Sequence, residues 1–82
     1  MMPPSSIHFR KFDVRPLFEK RIEPFPEIRR RIDRLTPNEG LELTAPFLPS
    51  PLIEMLKSEG FQAALHHQGD GSWIVQFWRD SA

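Results

Sequence analysis

The residues best placed to do chemistry sit together at Glu23-Pro24-Phe25-Pro26-Glu27, just ahead of apolar positions recurring at Ile28, Ile32 and Leu35. Proline is tolerated in the first turn of a helix because the N–H it lacks would have no partner there. Acids in that turn complement the positive end of the helix dipole. The stretch is a helix start. Glu23 is there either a ligand- or proton-handling carboxylate or, as capping physics favours, a cap and dipole partner. His66-His67 suggests metal, but adjacent strand residues point to opposite faces. His8 is the only other histidine, so no metal site is expected. Arg29, Arg30, Arg31 and Arg34 cluster on the same helix. Its outward arginines, Arg30 and Arg34, could meet a nucleic-acid backbone, though a solvated helix face is the stronger reading. No Ser/His/Asp constellation and no glycine-rich phosphate loop can be assembled. The absence of cysteine excludes disulfides, thiolate metal sites and thiol chemistry. Neither enzymatic activity nor a cofactor is expected.

Positioning these residues falls to one small domain, because 82 residues is near the size at which a single core suffices. The hydrophobic fraction of 39% and charged fraction of 27% are those of a soluble globular chain. Net charge is zero but unevenly spread: residues 1–35 carry nine Lys/Arg against five Asp/Glu, residues 36–82 two against six. Interleaving of the halves neutralises most of this; a basic surface for an acidic partner is the sharper alternative. Residues 1–12 contain no apolar core of signal-peptide length and no window approaches a membrane span, so a cytoplasmic location is expected.

In chain order, residues 1–6 form a disordered tail and residues 7–80 the domain. Residues 7–14 read as a first strand, with Phe12 and Val14 on one face, Ile7 and Phe9 on the other, and a bulge or later start reconciling them. Arg15-Pro16 ends it, and residues 17–22 are a connecting loop. The first long helix runs from about Pro24 to Leu35, its core stripe being Phe25, Ile28, Ile32 and Leu35, with Glu27 and Arg31 paired at i,i+4. Residues 41–44 alternate as a second strand. Ser50-Pro51 opens a second helix that buries Leu52, Ile53, Met55 and Leu56 and ends at Gly60.

The last segment sets its own register. A three-residue loop, Gly69-Asp70-Gly71, pairs Leu65 with Val75 and Ala63 with Phe77 and keeps the apolar row together, whereas a two-residue turn mixes the rows. The resulting order is strand, helix, strand, helix, strand, strand. It specifies an α/β (α+β) two-layer sandwich: a four-stranded mixed sheet with two helices on one face. The other face is left open, carrying Gln62, Ala64, His66, Ile74, Gln76 and Trp78. An exposed Trp beside an Ile is a surface that another protein or a second copy covers, with Trp78 as anchor. Alternatively, long polar side chains and the N-terminal tail fold over it.

Asp13-Val14-Arg15-Pro16-Leu17, the proline-bearing first helix, Pro37-Asn38-Glu39-Gly40-Leu41-Glu42-Leu43 and the aromatic last strand resemble the TusA and SirA sulfur carriers over roughly residues 12–79. More closely, they resemble an uncharacterised bacterial domain family related to those carriers. The resemblance implies the same βαβαββ sandwich, seen also in the C-terminal domain of a bacterial translation initiation factor. It also implies a functional Cys-Pro-x-Pro at the first helix, whose cysteine carries a persulfide. Here the motif reads Glu23-Pro24-Phe25-Pro26; counted from Asp13 with the carriers' spacing, the cysteine's place falls on Glu19. Either way a carboxylate replaces sulfur and persulfide relay is chemically excluded. The expectation is a non-catalytic accessory or protein-interaction domain. A small-molecule or metal-binding module, and an RNA binder using the arginine-rich helix, are the alternatives.

Overall fold

A computed structural model describes residues 2–79 of the chain; the expected domain end at residue 80 lies outside the described residues. The C-terminal hairpin folds as its alternation requires. Strands β3 (Phe61–His67) and β4 (Trp73–Arg79) pair antiparallel with Leu65 opposite Val75, Ala63 opposite Phe77 and Gln62 opposite Trp78. Gly71 sits at φ +90°, the left-handed position that a three-residue loop demands of its last residue. Asp70 Oδ1 accepts hydrogen bonds from the Ser72 backbone and hydroxyl, which fixes the turn.

Ahead of the hairpin come β1 (His8–Asp13), α1 (Arg15–Glu19), α2 (Phe25–Asp33), β2 (Glu39–Ala45) and α3 (Ser50–Ser58). The sheet order is β1-β2-β4-β3, with β1 parallel to β2 and β4 antiparallel to both its neighbours. The architecture is the expected α+β sandwich with a four-stranded mixed sheet. Leu41, Leu43, Val75 and Phe77 form the buried sheet surface, and Ile28 and Ile32 of α2 with Ile53 and Leu56 of α3 complete the core.

Several expectations are corrected. Residues 17–22 are not simply a loop: Pro16 opens the short helix α1 rather than only ending β1, because proline suits a first helical turn as well as a strand end. No bulge interrupts β1, whose register with β2 runs unbroken from His8 to Asp13. Each of its faces presents one partly buried ring among exposed polar residues. Phe12 lies under the Arg31 guanidinium at 3.8 Å, and Phe9 packs on the far side of the sheet. Phe25 and Leu65, expected in the core, are 40% and 47% exposed. Phe25 stands at the first turn of α2, beyond the end of its buried stripe, and Leu65 lies on an edge strand.

The largest correction concerns Trp78. It lies on the expected face, yet it is 1% exposed, as buried as Phe77 beside it. The pairing of Phe9 with Gly40 brings the Phe9 ring edge-on to Trp78 at 6.2 Å. Only glycine permits this: a Cβ at residue 40 would collide with the Phe77 carbonyl oxygen and lie 2.6 Å from the Phe9 ring. Phe77 and Trp78 are therefore buried on opposite sides of the sheet at this end of β4.

One charged cluster ties the helical layer together. Arg29 donates to both Glu59 oxygens at 2.8 and 2.9 Å and to Asp33 at 2.8 Å, joining α2 to the turn after α3. Hydrogen bonds from Arg29 hold the Glu59 carboxyl below the usual carboxylate range. A carboxyl depressed in the folded state contributes stability above its unfolded pKa and loses it as pH falls through the folded value.

Two outcomes are expected. Trp78→Ala should destabilise as severely as Phe77→Ala, each by about 3–5 kcal/mol in chemical denaturation, because each empties a fully buried aromatic site. A near-neutral Trp78→Ala would show that the Phe9 cover does not hold in solution. Second, Glu59→Gln should melt below the wild type at neutral pH, and the gap should close on acidification; a gap constant down to strongly acid pH would rule out the Arg29 pairing as its source.

Candidate functional site

Local sequence builds an apolar cleft where α1, α2 and α3 meet the end of β2. Asp13 accepts the Arg15 backbone N–H at 3.0 Å and a bidentate guanidinium contact at 2.7 and 3.0 Å, which starts α1. The same arginine reaches Asp70 in the hairpin turn at 3.4 Å. Hydrogen bonds from Arg15 hold the Asp13 carboxyl below its ordinary range, and those from Ser72 do the same for Asp70.

Helix α1 ends in a paired closure: Arg21 N–H bonds Phe18 O at 3.0 Å and Ile22 N–H bonds Leu17 O at 2.8 Å. This is the Schellman arrangement, whose C′ residue takes a left-handed conformation that glycine adopts without strain. Arginine occupies that place here, at φ +57°. The reversal delivers Glu23 to the start of α2. Glu23 Oε1 then accepts the Phe25 N–H at 3.1 Å, so the capping role expected for Glu23 is present in the structure.

The cleft encloses about 290 Å³. Its floor is Val14, Leu43 and Ala45, and its walls are Ile28 of α2 with Leu52 and Met55 of α3. Phe18, Phe25 and Phe47 form the rim, with Phe18 and Phe47 edge-to-face at 5.1 Å. These rings are 37%, 40% and 51% exposed. Glu23 is the only ionisable residue in the lining.

The other sequence candidates lie elsewhere. On the far face of the sheet His66 Nε2 donates to Gln76 Oε1 at 3.1 Å, and Gln76 Nε2 donates to Glu42 at 3.1 Å, a polar ladder across three strands. Ile74 lies opposite His66, so His66, Ile74 and Gln76 are together. Trp78 shares their face but is sealed beneath Phe9. His67 faces the other way, stacked on Trp73 at 4.4 Å. Among the described residues no three His, Asp or Glu side chains form a group that could hold a metal ion. Arg30 pairs with Glu27, as does Arg31 at 3.2 Å. Arg34 borders a separate cleft with Arg10 and Arg31, where Arg10 is held by Glu39 at 2.7 Å. Glu23 is thus brought together with none of the other candidates.

Sequence reasoning missed the rim aromatics. Phe18 and Phe47 fall in stretches that read as loops, and the signal available was two aromatic residues in proline-flanked segments with no strand or helix partner.

Residues 11–79 match the family model of DUF2249, described as an uncharacterized conserved protein, and the chain belongs to that family. Comparisons with curated proteins and with solved structures found no match. No helix among the described residues is long and apolar enough to cross a membrane.

The left-handed arginine supplies a test of the loop that positions Glu23. Arg21→Gly should stabilise by up to about 1 kcal/mol in denaturant titration by relieving the side-chain strain of that conformation. A clear loss of stability would show that the Arg21 side chain contributes more than its backbone strain costs.

Proposed function

We propose that this chain is a non-catalytic protein-interaction domain acting in the cytoplasm, a relative of the TusA and SirA sulfur carriers that has lost persulfide chemistry. Its docking site is the apolar cleft at the start of α2. The observation that carries this reading is the rim of half-exposed Phe18, Phe25 and Phe47 around a lining with a single ionisable group. Exposed aromatics clustered at a concave apolar patch are what interface anchors and their pockets are made of. A volume near 290 Å³ accommodates one or two apolar side chains, below most sites that enclose a whole small molecule. The lining contains no cysteine, serine, histidine or lysine, and its one carboxylate, Glu23, is engaged at the start of α2.

This moves the docking surface away from the sheet face first suggested by Trp78. That face keeps polar His66 and Gln76, but its large aromatic is spent inside the molecule. The arginine surface is the weaker alternative, because Arg10, Arg30 and Arg31 already have carboxylate partners.

Affinity capture from the native host tests the choice. A Phe25→Ser/Phe47→Ser variant with a wild-type-like melt should lose the partners that the wild type retains, while Arg30→Glu/Arg34→Glu keeps them. The opposite pattern, or loss in neither variant, overturns the cleft assignment.

A further inference from the structure

Resting on the cleft as docking site, we infer that its occupant is a segment of a partner protein presenting an apolar side chain beside a basic residue, and that the site discriminates against acidic segments. Helix starts ordinarily attract anions because their first N–H groups point outward without partners. Both long helices begin at this cleft, and both have lost most of those donors, only Glu27 and Leu52 keeping a free one in the first turn. Pro24 and Pro26 at α2, and Pro49 and Pro51 at α3, have no N–H to give. The Phe25 N–H is taken by Glu23, and the Ser50 N–H bonds the Leu48 carbonyl at 2.9 Å.

An arriving carboxylate would lose its water at an apolar rim with few donors to replace it, next to the fixed charge of Glu23. A cation finds the reverse. Glu23 uses Oε1 for the cap, and this exposed residue of the cleft lining has its second carboxylate oxygen left for a cation. An ammonium or guanidinium can settle there while the neighbouring apolar side chain fills the space over Leu43 and Met55.

Two short peptide amides of one design, Ala-Phe-Lys-Ala and Ala-Phe-Glu-Ala with acetylated N-termini, test this on the full ¹⁵N-labelled chain. Amide shifts at Phe18, Phe25 and Leu52 report the cleft. The lysine peptide should bind about fivefold tighter or more at low ionic strength, the preference shrinking with added salt as for a solvent-accessible pair. Glu23→Gln should erase the preference while keeping the shifts. Equal binding of both peptides, or preference for the glutamate peptide, overturns the charge selection and leaves the cleft as docking site. Shifts with neither peptide overturn both. Concentration-dependent dimerisation abolished by Phe47→Ser would assign the cleft to a second copy and equally overturn a basic partner segment.

Discussion

The structure depends on β4 being held between β2 and β3 with a large aromatic ring, Phe77 or Trp78, buried on each of its faces. Leu41 pairs with Phe77 and Leu43 with Val75 on the side of the helices. On the other side Trp78 is as deeply buried, although no helix covers it. A sheet this small cannot hide a tryptophan with strand neighbours alone; the cover is Phe9 from β1, two strands away. That reach needs Gly40 between them, where the missing Cβ lets one ring cross the intervening strand. Apolar surface is thus buried on both sides of a two-layer fold, which adds to the core available to a chain of 82 residues.

The long elements were legible because each rests on a local periodicity. Alternation around Gly69-Asp70-Gly71 determined the hairpin register to the residue, and the spacing of Ile28 and Ile32 marked the buried side of α2. What could not be read was which apolar residues a distant part of the chain would reach. Phe9 and Trp78 are separated by most of the sequence and meet only through strand order, which no window of residues encodes. The short α1 escaped for a different reason: Arg15-Pro16 is equally good punctuation for a strand end and a helix start. The candidate site was half legible. Glu23 stood out by residue type and position, but the aromatic rim around it is assembled from three separate segments.

That rim gives Arg21 its significance. A left-handed arginine costs free energy that glycine would not, and the conformation persists because two backbone hydrogen bonds close the turn around it. The turn brings the chain back from α1 so that Glu23 and Phe25 meet Phe18 and Phe47 around one opening. Arg15, bridging Asp13 and Asp70, holds the other end of α1 against the hairpin turn. The opening is therefore framed by a backbone closure at one end of α1 and by charged contacts at the other, while its interior stays apolar.

A helix start can be used in two ways. Its donors can be left free to bind an external anion, or they can be removed and satisfied from within. This chain does mostly the second at both helices that open on the cleft, with prolines at four positions and the Glu23 carboxylate on the Phe25 amide. The consequence is electrostatic. The group that caps α2 is itself the negative charge, so the place where a helix dipole would draw an anion already contains one. In the proposed reading the same carboxylate that caps the helix also sets the sign of what can approach, and both roles fall on one residue because the cleft lining has no other ionisable side chain to divide them.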